Sequence, residues 1–250
     1  MEWKEAADKF LEEWKDKDYV VGAVVAGSYV TGNPTPNSDV DIHILLSDDI
    51  QWRERGNKIV NGYLIEYFAN PLKRQYKYLE EDYKKRTRTT THMFSNGLIL
   101  FDKTGEVKKF VSEMKKLDKE PFEEVSKEEI EMMKYFIWDN FDNVEGHYKA
   151  GKKGFELVYY NSLYKIYSSY SKYLGETIVQ PQKFYEELVD DKKVFLEKGF
   201  RDEKFCKLIE KSVNEKDKQD LVNNLKELTE YVLEQMGGFE IDGWIVRNEA

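Results

Sequence analysis

The sequence predicts an α+β protein, with a small sheet-containing domain over residues 1–118 followed by an all-α helical domain over residues 119–250. Three observations carry this expectation. Short β-branched runs bounded by turn residues crowd the first hundred positions. From Gly105 almost to the end, apolar residues instead recur at the helical period of 3.6. The change of period falls near residue 118, with Pro121 just after it. Strands gathered at one end of a chain and helices at the other define an α+β layering.

The elements follow in order. Trp3, Ala7, Phe10, Leu11 and Trp14 share one helical face, so residues 3–15 form an amphipathic helix. Tyr19–Ala26 is a continuous β-branched run and reads as a buried strand. Gly27-Ser28 turns the chain into a short helical segment, and residues 33–38, Asn-Pro-Thr-Pro-Asn-Ser, are loop chemistry throughout. Asp39–Leu46 is the next strand. Lys58–Asn61 and Tyr63–Ala69 form a strand pair broken at Asn61-Gly62, a hairpin signal. Pro71 opens a helix, and Leu98–Phe101 is a further short strand ended by Asp102-Lys103-Thr104-Gly105. Helices are then expected near 106–117, 126–150, 154–174, 181–198, 202–213 and 217–236. Gly237-Gly238 ends the last of them, and Trp244 folds back as an anchor.

Composition narrows the function classes. With 250 residues, 35% charged and 14% aromatic, the chain has a solvated surface and material for a sizeable core. The longest apolar run, Val20–Ala26, is too short to span a bilayer, and the acidic first ten residues contain no apolar leader. A cytoplasmic protein without a membrane partner is the expectation. The single cysteine, Cys206, excludes an internal disulfide and a cysteine-rich zinc site. A net charge of −9, with Lys and Arg interleaved among acids, argues against a nucleic-acid partner, which would need a basic patch. The interleaved charges read as solvated helix faces, with attraction of a small polycationic substrate as the alternative.

The chemistry concentrates between Ala23 and Leu46, AVVAGSYVTGNPTPNSDVDIHILL. A buried run leads to a Gly-Ser turn, and ten residues later Asp39 and Asp41 stand at the mouth of a second apolar run. Side chains two apart on a strand share a face, so the two carboxylates point the same way. Like charges held that close persist most easily around a divalent cation. Gly27 lets main chain approach a ligand, the amides of the following turn favour an anion, and Ser28 adds a hydroxyl donor. Taken singly, Gly-Ser is an ordinary strand-to-helix turn and Asp-x-Asp a common tripeptide pattern; the combination is far more specific. A third carboxylate, Glu66, interrupts the apolar run Tyr63-Leu64-Ile65-Glu66-Tyr67-Phe68 and calls for a partner there. An edge strand with Glu66 facing water is the structural alternative.

Gly27-Ser28, Asp39-Val40-Asp41 and the later Glu66 together resemble the DNA polymerase β-type nucleotidyltransferase superfamily, and Ser38 fits its common Ser-Asp-x-Asp form. The motif covers about the first 70 residues. A looser likeness, including residues 91–110, extends to bacterial antibiotic nucleotidyltransferases of the kanamycin and lincosamide type. The resemblance implies a mixed-sheet catalytic domain and a helical-bundle, substrate-binding domain. It implies two Mg²⁺ ions held by Asp39 and Asp41, with Glu66 on the catalytic one, and ATP or another nucleoside triphosphate met by Gly27, Ser28 and Ser38. The product would be a nucleoside monophosphate, AMP in the first instance, on a hydroxyl of a small acceptor such as an aminoglycoside- or lincosamide-like drug. Two other readings stay open: modification of a protein hydroxyl, as in the nucleotidyltransferases of toxin–antitoxin pairs, and a catalytically inactive nucleotide-binding module. Many relatives carry Arg or Lys just after Gly-Ser, where this chain has Tyr29-Val30-Thr31. Triphosphate charge must then be met by metal, backbone, or bases such as Lys73, Arg74, Arg86 or Arg88. Kanamycin-type enzymes also draw a general base from the helical domain; Asp139 and Asp142 lie in a comparable place here, with two solvated helix acids as the other reading. Whether two chains pair as a homodimer is left open.

Among the remaining candidates, His43 follows Asp41 on the same strand face, lining the site or packing within the sheet. His92 and His147 are isolated and give a zinc site little support. The tyrosine-rich stretch from Tyr159 to Tyr173 reads as a packed helix face, with a stacking platform for sugar as the alternative.

Overall fold

The computed structural model describes residues 2–190, 195–196 and 199–247. The chain divides into two units, Met1–Glu120 and Pro121–Ala250. The first is built on α1 (Glu2–Lys15), β1 (Val20–Ala26), α2 (Ser28–Thr31), β2 (Val40–Leu46), β3 (Glu54–Val60), β4 (Tyr63–Pro71), α3 (Leu72–Lys84), α4 (Thr89–Ser95), β5 (Leu98–Asp102) and α5 (Glu106–Leu117). The sheet has the order β3-β4-β2-β1-β5. It is mixed, with β2 and β4 parallel and the other pairs antiparallel.

Alternation along the strands gives the sheet two distinct faces. Val40, Ile42, Ile44 and Leu46 pack with Ala23 and Val25 against Trp3, Phe10, Leu11 and Trp14 of α1. Leu45 points the other way, into a cluster with Val24, Phe94 of α4, and Phe110 and Met114 of α5. Asp41 and His43 lie on that second face. The helices therefore cover one end of it and leave the acidic end to the Gly27–Ser28 turn.

Two elements of this unit depart from the sequence expectation. The outer strand β3 begins at Glu54, not Lys58, because it is a sheet edge: its ladder to β4 is backbone, and only Val60 is buried. Glu54, Arg55, Gly56 and Asn57 carry no apolar periodicity, as suits an edge. Gly56 has a specific reason, since a Cβ there would meet the ring and hydroxyl of Tyr67 at 2.7–2.8 Å. Helix α4 is a second addition. Its β-branched Thr89-Thr90-Thr91 start has poor intrinsic propensity. Asp82 of α3 compensates, accepting from Thr90 N at 2.7 Å and from Thr87 Oγ1 at 3.0 Å. The hairpin forms where Asn61-Gly62 places it, with φ of 50° and 84° at the two turn residues.

The second unit is helical: α6 (Lys127–Lys149), α7 (Phe155–Leu174), α8 (Phe184–Val189), α9 (Glu203–Asn214) and α10 (Lys218–Gln235). Three starts are capped by side chains: Ser126 accepts from Glu129 N, Asp202 from Phe205 N, and Asp217 from Gln219 and Asp220 N. The expected helix over 181–198 is shorter. It ends at Val189, where Asp190 turns extended, and the buried Glu187 carboxylate accepts from the backbone N–H of Phe195 and Leu196. Residues 191–194 and 197–198 lie outside the described part. Tyr159, Tyr167 and Tyr170 of α7 are fully buried core residues. Trp244 stacks on Tyr135 with ring centroids 4.5 Å apart, beyond the Gly237-Gly238 exit of α10. Among the described residues, no helix is long and apolar enough to cross a membrane.

Candidate active site

Asp41 lies in register with both neighbours of β2. Across the antiparallel ladder it faces Ala26, the last residue of β1, and across the parallel ladder it faces Glu66. The chain leaves β1 at Gly27, so the Gly-Ser turn and Glu66 flank the same aspartate from opposite sides. Asp39, just before β2, projects to the same face. A carboxylate oxygen from each of Asp39, Asp41 and Glu66 lies within 4.8 Å of the others, and all three groups are half-buried. Among the described residues this is the group with ligand geometry for a metal, and no histidine or cysteine belongs to it. His92 sits beside Asn96 on α4 and His147 against the Asn143 carbonyl on α6.

Gly27 is required twice over. Its φ of 78° with ψ of −164° belongs to glycine alone. A Cβ on it would also run into the Asp41 carboxylate, well inside van der Waals contact. The Gly27 carbonyl then accepts from the amides of Val30 and Thr31, both at 3.1 Å, closing the single turn of α2. Ser28 opens that turn. Ser38 is engaged locally: its hydroxyl accepts from Thr35 N at 2.8 Å and pairs with Thr35 Oγ1 at 3.2 Å, which folds the loop leading into Asp39.

Glu66 has a partner that sequence reasoning missed. Arg55 of β3 donates to it through Nη2 at 2.5 Å and through Nε at 3.2 Å. The guanidinium also lies 4.8 Å from the Phe68 ring centroid. The cross-strand pairing of an unanticipated part of β3 makes this contact, so no local signal announced it. His43 stacks on Phe68 at 5.1 Å and meets Phe94 edge-on at 5.2 Å. Burial pushes its imidazole down to about 4, so it is neutral near pH 7. It thus packs in the sheet and borders the site.

The basic candidates separate. Arg86 is buried, and Arg88 donates to the Leu117 carbonyl at 2.7 Å, tying α4 to the end of α5. Lys73 and Arg74, with Arg53, line a groove beside α3. Arg53 donates to the Tyr78 hydroxyl at 2.9 Å. Burial raises that phenol, but hydrogen bonds from Arg74 and Arg53 outweigh it and leave Tyr78 below its ordinary value. Asp139 and Asp142 both lie on α6 in the second unit, Asp139 half-buried with Asn143 donating to it at 3.1 Å and Asp142 exposed.

The Gly27-Ser28 turn and the three carboxylates thus meet at one end of the sheet. Residues 7–97 match the family model described as "Nucleotidyltransferase domain", a segment that contains all three acids and the turn. The match supports nucleotidyl transfer. The whole chain is similar in fold to the crystal structure of a nucleotidyltransferase-like protein from Exiguobacterium sibiricum 255-15. The TM-score is 0.51 at 12% identity, over 93% of this chain and 75% of that one. No curated protein matches the chain in sequence.

Proposed function

We propose that this protein transfers a nucleoside monophosphate, AMP from ATP, to a hydroxyl of a small acceptor. The observation that carries the reading is the meeting of Asp39, Asp41 and Glu66 within 4.8 Å beside the Gly27–Ser28 turn, inside the segment that matches a nucleotidyltransferase domain. Three hard oxygen donors with a formal charge of −3 fit Mg²⁺, which completes its shell from substrate phosphates. Asp39, Asp41 and Glu66 would hold magnesium, which would supply Lewis-acid stabilisation of the phosphoryl oxygens and ease ionisation of the acceptor hydroxyl.

The chain's own residues divide the remaining work. The Ser28 hydroxyl and the amides of Ser28 and Tyr29, which open α2, receive the triphosphate. Gly27, lacking a side chain, keeps that turn within reach of Asp41. As metal ligands, Asp39 and Asp41 would fix the reacting end on the uncovered part of the sheet, and Glu66 would do so on the acceptor side. The first unit is in this reading the catalytic domain, and the second the substrate-binding one. A triphosphate-consuming enzyme of this kind works in the cytoplasm.

The test is pyrophosphate release from Mg-ATP with a panel of acceptor alcohols that includes aminoglycosides and lincosamides, the acceptor class that the sequence resemblance implies. Release that requires an acceptor and disappears in Asp41→Asn is the expected result. Release that persists in that variant, or none with any acceptor, removes the reading.

A further inference from the structure

Next to the acids, the same sheet face opens into a cavity of about 510 Å³ to which the transfer reading gives no role. Its position is informative. His43, two residues past Asp41, and Phe68, two past Glu66, form its wall, and Arg55 joins it to Glu66. It therefore lies on the β4–β3 side of the acids, whereas the Gly27–Ser28 turn follows β1 on the other side. In an in-line displacement the incoming oxygen approaches phosphorus opposite the departing pyrophosphate. With the triphosphate at the turn, the acceptor enters from the cavity side.

The donors there are cationic in a chain whose net charge is −9. Arg53 and Arg55 both line the cavity, and Arg53, with Arg74 and Lys77, continues into the adjoining groove. Glu54, the acid among the lining residues, accepts from the Tyr67 hydroxyl at 2.7 Å. A second, independent observation is Gln75 of α3. It lines the cavity, is 2% exposed, and its Nε2 has no hydrogen-bond partner. A buried donor left unpaired is costly unless a ligand atom accepts from it. The Arg53 guanidinium, the part of the Arg55 guanidinium that Glu66 does not engage, and an unpaired amide N–H offer donors, the chemistry that recognises an oxyanion.

We propose that the cavity binds the oxyanion of the acceptor, so that the substrate is a small alcohol carrying phosphate or carboxylate, such as a sugar phosphate or a hydroxy acid, and not a polycation. The proposal rests on the transferase reading. The acceptor oxygen forms its bond to the α-phosphorus, and the bond from that phosphorus to the bridging oxygen breaks with its electron pair leaving on pyrophosphate. The hydroxyl proton passes to solvent.

Calorimetric titration of glycerol 3-phosphate, glycerate, glycerol and kanamycin into the metal-free full chain, without nucleotide, reads the cavity alone. At least one of the two anions should bind, glycerol and kanamycin should not, and Arg53→Met and Gln75→Leu should each weaken the anion roughly tenfold. Arg53 is exposed, so its variant keeps the fold; thermal melts check Gln75→Leu. Binding by neither anion, anion binding indifferent to both substitutions (as for an ion seated on the Ser28 turn), or preference for kanamycin overturns the proposal. With Mg-ATP added, faster pyrophosphate release on an anionic acceptor than on glycerol or kanamycin supports it. Release confined to neutral or cationic acceptors overturns it and leaves the transferase reading standing. Arg53-dependent anion binding with no release from any acceptor overturns the transferase reading and, with it, the acceptor role.

Discussion

The two units treat polar atoms in opposite ways. In the helical unit, buried hydroxyls serve the fold. Tyr159 donates to the Ser212 carbonyl at 2.9 Å, Tyr164 to the Val179 carbonyl at 2.9 Å, and Tyr170 and Tyr231 to the α9 cap Asp202 at 2.6 and 2.9 Å. Each bond ties a loop or a helix end to the core, so polarity and packing reinforce one another. In the sheet unit three carboxylates are turned toward one another, and Arg55 pairs with Glu66 among them. Such convergence opposes folding through like-charge repulsion and gains nothing in packing. Where local choices conflict with stability in this way, the site has another purpose.

The largest effect that sharpens this contrast is on rate. Asp41→Asn should lower pyrophosphate release by about three orders of magnitude, the equivalent of several kcal/mol of charge stabilisation. Its melting temperature should hold or rise, because one of three mutually repelling charges is gone. A clear drop in a thermal melt would mean the trio supports the fold and would break the contrast.

Alkaline pH should act mainly on the other unit. Burial raises the phenols of Tyr159, Tyr167 and Tyr170 far above their ordinary value, and Tyr231 to about 12. Their raised folded values mean that the neutral form stabilises the fold. That contribution is complete below pH 10 and is lost above it, by about 1.4 kcal/mol per phenol for each pH unit until the folded value is reached. In the sheet unit Tyr67 and Tyr76 are raised to about 12, so the same trend there is weaker. Peptide-resolved hydrogen exchange at pH 8 and pH 11 should show protection lost first over residues 155–235. Earlier loss over β1–β5 would count against the assignment.

Gly27→Ala should destabilise by about 2 kcal/mol or more, from an unfavourable φ and the clash with Asp41 together. Exchange should localise the loss to β1, β2 and β4 while α6–α10 stay protected. A urea midpoint equal to that of the parent would show that the turn can relax away from Asp41. Ser126→Ala is the smallest change, about 1 kcal/mol for a lost helix cap, read from the same midpoint and confined to the helical unit.

Much of the fold was legible because it is written in local periodicity. The α1 face, the buried run of β1, the Asn61-Gly62 hairpin and the long helices all follow from spacing and turn chemistry. What escaped was held by something outside its own segment. The first half of β3 is polar and exists through its backbone ladder to β4. Helix α4 borrows its cap from Asp82 of the preceding helix. Expected helix near 190 gives way where Glu187 takes backbone amides instead.

The candidate site divides along the same line. The sequence by itself determined that Asp39 and Asp41 share a strand face, that a glycine precedes Ser28, and that Glu66 interrupts an apolar run, because strand alternation is a property of neighbouring residues. Only the tertiary structure decided that Asp41 pairs with Ala26 on one side and Glu66 on the other, and that Arg53, Arg55 and Gln75 gather around one cavity. The physical reason is register: a one-residue slip of β4 against β2 would leave every local pattern unchanged and turn Glu66 to the opposite face. Inter-strand hydrogen bonds and the α1-side core, not any local signal, exclude that slip.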